Sequence, residues 1–362
     1  MSGSDLRAFR VTDPARWNAF VESAPYHAFP QLWEWGEVRA MGGWRPVRIA
    51  IGPSADEPVA GMQLLLRPVP LVNWHLAYAP RGPIGRLDDA ETRVALVKAL
   101  RTLGREEKIA TVRVDPEATP ATPYGRALLS VPWRAAPKVQ PPTTRVVDLT
   151  VGEESLRANL KRKHRQYVNK AERAGVTIER FDGATPPDVI GPALAEFNRI
   201  YQLTAERAGF VARQPFYYER VWSIFAPTGR VRLSFAVLDG HRVATLFHFT
   251  CGERVVESYG GMTDAGADAR ANYLLKWTAM ADFAADGFAI YDMWGLATGG
   301  IRQFKEGFGG AEVEYVGARD LGLRAPVDAA LRIAIPAYGL AQRARLKLLG
   351  RDRGAAEPPE VT

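Results

Sequence analysis

Two stretches of this chain carry the same order of patterns, and that repetition restricts its possible folds more than any other feature. In the first, WRPVRIAIG and EPVAGMQLLLRPV read as two strands around a polar turn. WHLAYAP follows as a third strand, then a helix over about 89–105, then the strand ATVRVDP. In the second, RVRLSFAVLDG and HRVATLFHFTCG read as a hairpin with Asp239-Gly240 at its turn. Asp-Gly between alternating apolar runs signals a hairpin because both turn residues need a positive φ. RVVESYGG is the third strand there, a helix spans about 269–286, and FAIYDMWG is the next strand. Helical segments open each half, at 15–22 and 30–41 in one and at 192–208 and 216–225 in the other. The expected class is α+β, with two units of one plan in tandem.

A length of 362 residues suits two domains. Pro141-Pro142 interrupts the pattern, so the expected units are 1–146 and 147–317. The segment 318–350 is expected to return to complete the first unit, leaving a disordered tail at 351–362. The only cysteine, Cys251, lies in an apolar run, which excludes a disulfide framework and a thiolate metal cluster. His164 and His248 lack ligand-spaced partners, so neither a metal nor another cofactor is expected. MSGSDLRAFRVTD has no apolar leader, and no run of 18 apolar residues occurs. A monomer in the cytoplasm is the expectation.

Charge is distributed unevenly. Residues 157–173 hold seven Lys or Arg against one Glu, and a second basic run lies at 342–353. Such patches fit polyanionic partners: nucleic acid, a phosphorylated substrate or an anionic membrane surface. A basic helix is expected over 157–173, with Arg157, Lys161 and Arg165 on one face as a ladder able to follow phosphates. The run IRQFKEGFGG sets Lys305 between Phe304 and Phe308, just before a glycine pair. A cation among apolar groups suits a developing oxyanion or a phosphate.

Helix, antiparallel strands, helix, strand is the order of a GNAT-like unit, the acyl-CoA N-acyltransferase type. Such units cradle the coenzyme A pyrophosphate on a glycine-rich turn opening the central helix. DAGADARANYLL has only Gly266 at that place, and GRLDDAETR in the first half is acidic. Coenzyme A is therefore disfavoured, and another acyl donor is expected.

Eight pieces then follow in one order: SAPYHAFPQLWEWGEVR, YAPRGPI, VRVDPE, NKAERAGVTIE, TAERAGFVARQPFYYER, ESYGGMT, IYDMWG and QFKEGFGG. In this the chain resembles the Fem family of non-ribosomal peptidyltransferases, in a short form without the helical-hairpin insert. The resemblance implies two GNAT-like units, aminoacyl-tRNA as donor, and a UDP-linked or lipid-linked muramyl-peptide precursor as acceptor. It implies catalytic roles for Phe304 and Lys305. Precursor contacts are implied for Arg39, Arg213, Tyr217 and Tyr259, with Gly260 and Gly261 letting the precursor approach the strand end. The tRNA arm would fall to Arg157, Lys161 and Arg165. Glu37 stands nearest a family lysine and Ala110 at a family tyrosine, which departs from the pattern. Lipid-linked precursor would bring the chain to the inner face of the membrane. Two other readings remain open: a CoA-dependent N-acyltransferase, and a membrane-surface module that binds lipid-linked precursor without transfer. The second draws on Leu331, Ile333, Ile335 and Leu340 beside Arg343, Arg345 and Lys347.

Overall fold

The computed structural model describes residues 6–69, 72–296, 299–330 and 332. The expectations for the basic run at 342–353, the apolar-basic stretch from Ile333 to Lys347, and the tail at 351–362 lie outside the described residues, as does the side chain of Leu331.

The chain divides into two compact units, one from residues up to Pro142 and from Glu314 onward, the other Thr143–Val313. The first begins with β1 (Arg7–Arg10), α1 (Pro14–Ser23), α2 (Trp33–Ala40), β2 (Arg45–Gly52) and β3 (Ala60–Pro68). It continues through β4 (His75–Ala79), β5 (Ile84–Gly85), α3 (Ala90–Glu106), β6 (Ile109–Val114), α4 (Pro123–Leu128) and β7 (Arg134–Ala135). The second opens with β8 (Thr143–Asp148), α5 (Glu153–Asn159), α6 (Arg162–Arg173), β9 (Thr177–Phe181), α7 (Pro187–Ala208) and α8 (Pro215–Phe225). The hairpin β10 (Val231–Leu238) and β11 (His241–Cys251) follows, then β12 (Arg254–Met262), α9 (Asp264–Asp268) and α10 (Ala271–Ala285). β13 (Ile290–Asp292), α11 (Gly300–Glu306) and β14 (Ala311–Glu314) close it, and β15 (Arg319–Gly322) joins the sheet of the first unit.

Strand order in the first sheet is β1-β2-β3-β4-β6-β15-β7, and in the second β14-β8-β13-β12-β11-β10-β9. β4 and β6 pair in parallel in the first sheet, and β12 and β13 in the second. A parallel pair needs a crossover, and α3 and α10 supply it. Asp89 caps α3 by accepting from Thr92 N at 2.8 Å, and Leu96, Leu100 and Leu103 bury one face of that helix. β15 is tied to β6 by Arg113, whose guanidinium donates to both oxygens of Asp320 at 2.8 and 3.0 Å. In the second unit Leu274, Leu275, Met280 and Phe283 of α10 pack into a core with Val255, Tyr291 and Phe308. Burying each such side chain is worth roughly 1.5–3 kcal/mol. Among the described residues no helix is long and apolar enough to cross a membrane.

Two local expectations change. The basic stretch 157–173 is two helices, because Leu160 and Lys161 are extended, with ψ of 136° and 144°. Leu160 is buried, and Lys161 N donates to Gly307 O at 2.9 Å instead of to a helical carbonyl. The helix expected over 269–286 is α10, Ala271–Ala285, which the chain enters through Arg270 in the left-handed region at φ 61°. The helix expected at 30–41 gives way to a 3₁₀ turn over Phe29–Gln31 and to α2.

Candidate active site

The second sheet opens where its parallel pair ends. β12 and β13 are in register only from Arg254 opposite Ile290 to Val256 opposite Asp292. Beyond Asp292 the chain stays with β8, Met293 N donating to Arg145 O and Leu296 N to Thr143 O. β12 meanwhile runs on to Met262 beside β11. A wedge forms between them, and the ammonium of Lys305 fills it. Its Nζ donates to Met293 O and Gly295 O at 2.7 Å each, and to Trp294 O. Trp294 and Gly295 have φ of 48° and 36°. An ammonium has three donors, and here three carbonyls take them. Burial, then repulsion from Lys276, lowers the Lys305 pKa to about 8, although Glu257 and Asp292 oppose the shift. Lys305 and Phe304 thus sit on the short helix α11, with the side chain directed inward.

A buried polar chain lies alongside. Lys276, the one cation in ANYLLKWTAMADFAA, is 1% exposed and donates to Glu257 Oε1 at 2.8 Å. Tyr291 gives its hydroxyl proton to Glu257 Oε2 at 2.6 Å, and His248 Nε2 lies 2.8 Å from the Tyr291 oxygen. Since the Tyr291 proton is committed to Glu257, His248 is the donor and therefore carries its proton on Nε2. Burial drives the His248 pKa down to about 3, so the ring is neutral. Burial alone would push the Glu257 carboxyl up; the charge of Lys276, with that of Lys305, outweighs it and the net shift is downward. The Lys276 ammonium also lies 4.9 Å from the Phe304 ring centroid and 5.4 Å from that of Phe308. It supports the Phe304 ring from below through a cation–π contact.

Phe304 is further held by Tyr273 at 4.9 Å and Phe308 at 5.1 Å between ring centroids. His164 Nε2 lies 2.9 Å from Phe304 O, and its ring packs between Tyr273 and Phe308, each at 5.0 Å. The turn after α11 depends on its first glycine for space. A Cβ on Gly307 would lie 1.8 Å from His164 Cε1. Gly307→Ala is expected to cost about 1–3 kcal/mol of stability, as overpacking generally does. Thermal denaturation should show a lowered Tm that His164→Ala in the same chain partly restores. An unchanged Tm would mean that His164 moves aside freely.

A β-bulge divides the site between the two faces of the sheet. Phe247 pairs with Tyr259 and His248 with Glu257, which leaves Ser258 as the extra residue. Residues two apart normally share a face, but the bulge reverses this. Glu257 faces α10. Tyr259 faces α7 and α8, where its ring centroid is 5.7 Å from that of Tyr201 and 5.3 Å from that of Tyr218. Tyr217 packs on Tyr218 at 5.3 Å, and the exposed guanidinium of Arg213 lies 5.7 Å from the Tyr217 ring. Burial, followed by the neighbouring tyrosines, holds the Tyr259 hydroxyl well above its ordinary pKa. Arg213, Tyr217 and Tyr259 therefore form one group on the α7–α8 face, while Phe304 and Lys276 lie on the α10 face. The wedge holding Lys305 opens between these faces.

Gly260 and Gly261 lie close to neighbours within their own unit. A Cβ on Gly261 would lie 2.6 Å from Thr204 Oγ1 of α7, and one on Gly260 2.8 Å from Leu246 Cδ2. Both allow close internal packing. The ladder expected of Arg157, Lys161 and Arg165 is also absent, since the helix break separates them. Arg157 donates to Asn169 Oδ1 at 2.7 Å, and Arg165 donates to Ala158 O at 2.7 Å and to Leu160 O, closing the end of α5. Lys161 Nζ lies 3.6 Å from Glu306 Oε2 and is exposed. Arg39 belongs to the first unit, where its guanidinium and that of Arg67 lie 5.8 and 5.4 Å from the Trp44 ring. Sequence reading missed Lys276, Glu257, Tyr291 and His248 as one network. The signal available was a single lysine within an otherwise apolar helix face.

Comparison with known proteins adds an independent line. Residues 12–127 match the FemAB family, and residues 155–306 match an acetyltransferase (GNAT) domain. The lipid II:glycine glycyltransferase of Staphylococcus saprophyticus is 28% identical over 249 residues, covering 65% of this chain and 56% of that protein. The Staphylococcus aureus protein of the same name is 28% identical over 233 residues, covering 61% of this chain and 53% of its own length. The chain spans about half the length of the curated relatives it matches. A crystal structure of FemX superposes with a TM-score of 0.80 at 20% identity, over 90% of this chain and 99% of that one. A tandem GNAT protein from the clavulanic acid pathway gives 0.53 at 11% identity, over 88% and 99%. These solved structures share the fold, two GNAT-type units in tandem.

Proposed function

This chain belongs to the Fem family, and we propose that it is an aminoacyltransferase acting in peptidoglycan bridge synthesis. In this reading it moves glycine, alanine or serine from aminoacyl-tRNA to the side-chain amine of the third stem-peptide residue of a precursor. The precursor is lipid-linked, as the names of the staphylococcal relatives suggest, and the protein works in the cytoplasm at the inner membrane face. The carrying observation is the wedge, where the Lys305 ammonium meets three carbonyls between a tyrosine–arginine face and an aromatic face.

The chemistry follows from that placement. The amine nitrogen attacks the ester carbonyl carbon, and the carbonyl electron pair moves onto oxygen. Lys305 turns one N–H from a backbone carbonyl to this oxyanion. The intermediate collapses, breaking the bond to the ribose oxygen, which leaves with the proton lost by the amine. An oxyanion donor is worth roughly 3 kcal/mol, and holding both substrates in register up to about 7. Arg213, with Tyr217 and Tyr259, is assigned to the precursor, since a guanidinium fork suits a diphosphate. Arg39 is a proposed precursor contact within the first unit.

Coenzyme A is a poorer donor for this scaffold. Gly266 is buried, and a Cβ there would lie 2.3 Å from Val243 O, so its missing side chain serves packing. The test is mass analysis of lipid-linked and UDP-linked precursors after incubation with tRNAs charged with glycine, alanine or serine. Addition of one such residue to the third stem position is expected. No addition from any charged tRNA would refute the assignment.

The pH dependence has opposite signs for rate and stability. Transfer requires the ammonium, so the Lys305 limb of kcat/KM is expected to fall as pH rises through about 8. Its folded pKa is lowered from 10.5, so between those values the unfolded chain keeps a proton that the folded chain has lost. The contribution of Lys305 to stability therefore rises with pH across that window. A pH–rate profile beside denaturant titrations checks both. A rate limb still rising above pH 9 would remove the ammonium from the mechanism.

A further inference from the structure

On the α10 face, three partly exposed rings run from the basic helix to the wedge. Tyr167 of α6 lies 4.8 Å from Tyr273 of α10, and Tyr273 lies 4.9 Å from Phe304, beside Lys305. The neighbouring core rings Phe308 and Phe283 are 0% and 1% exposed, whereas Tyr167, Tyr273 and Phe304 all keep surface open to solvent. Cations border this strip. The Arg270 guanidinium lies 4.7 Å from the Tyr167 ring and Lys163 Nζ 5.6 Å from it. Arg270 occupies the left-handed break between α9 and α10, its Nε buried without a hydrogen-bond partner.

We infer that Tyr167, Tyr273 and Phe304, bordered by Arg270 and Lys163, form a stacking platform for the single-stranded 3′ end of an RNA donor. The inference rests on the reading that the donor is an aminoacyl-tRNA. Aromatic faces accept any base, and cations beside them neutralise the backbone. The order of the rings carries the last unpaired nucleotides from the exposed side of α6 to Phe304, so the terminal ester arrives at Lys305. This replaces the Arg157–Lys161–Arg165 ladder as the route of the donor. The exposed cations of α6 available to the paired stem are Arg162, Lys163, Lys170 and Arg173.

The test is fluorescence anisotropy with a labelled RNA hairpin bearing a four-nucleotide single-stranded 3′ tail, and with the same hairpin made blunt. Tyr167→Leu is expected to weaken binding of the tailed hairpin by about ten-fold or more, the loss of one stacked base. Tyr167→Phe should keep wild-type affinity, because the ring remains. The blunt hairpin should bind the wild type more weakly and be indifferent to Tyr167→Leu. Unchanged affinity of Tyr167→Leu for the tailed hairpin, or an equal loss for both hairpins, would overturn the platform while leaving the donor reading intact. A wild-type chain that binds neither hairpin and accepts no charged tRNA would overturn the donor reading, and the platform with it.

Discussion

Lys305→Met is expected to reduce amino-acid transfer about 10²- to 10³-fold, the usual effect of removing one oxyanion donor. Methionine matches the length of the lysine stem, so the wedge keeps its filling and loses its charge. It also strips a donor from Met293 O, Trp294 O and Gly295 O together. Hydrogen bonds to a charged group are worth roughly 1.5–3 kcal/mol each, so stability falls along with activity. Lys305→Arg separates the two effects. A guanidinium keeps the charge, but its planar fork cannot aim three donors from one atom. It is expected to retain much of the Tm while transfer stays low. Transfer by Lys305→Met at the wild-type rate would make Lys305 a structural peg alone.

The second large effect is on folding. Lys276→Met leaves the Glu257 carboxylate buried without its cation, which generally costs about 3–5 kcal/mol. Tyr291 would still donate to it, and His248 to the Tyr291 oxygen, but neither supplies a positive charge, since His248 is neutral. The double variant Lys276→Met/Glu257→Gln removes both charges at similar volume and is expected to recover most of the loss. Denaturant unfolding of the wild type, both single variants and the double variant completes a cycle that isolates the pair. A single Lys276→Met variant as stable as the wild type would mean that Glu257 is solvated or protonated. Because Lys276 holds the Glu257 pKa below 4.5, the pair's contribution is present above that value and is lost as pH falls through the folded pKa.

Much of the fold was legible because local chemistry and tertiary structure agree. The turn at Asp239-Gly240 takes φ of 49° and 76°, as an Asp-Gly hairpin turn requires. The strands and the central helix of each unit follow periodicities of two and 3.6 that burial preserves. The details of the site resisted reading because long-range contacts decide them. The break at Leu160–Lys161 exists because Lys161 N meets Gly307 O, 146 positions along the chain, where α-helical spacing alone would continue. The bulge at Ser258 leaves the alternation of RVVESYGG intact to the eye, yet it sends Glu257 and Tyr259 to opposite faces. Lys276 reads as an ordinary helix lysine until Glu257 is brought beside it from the neighbouring strand. Lys305 was visible as a charge among phenylalanines, but nothing in IRQFKEGFGG announces the three carbonyls that receive it.

A donor competition tests the central claim most directly. The full chain would be given one lipid-linked precursor with an aminoacyl-tRNA, and separately with the matching aminoacyl or acetyl thioester of coenzyme A. The stem peptide would then be weighed by mass spectrometry. Addition from the RNA ester with none from either thioester is the expected result. Addition from a thioester at a comparable rate, with the RNA ester inert, would contradict it.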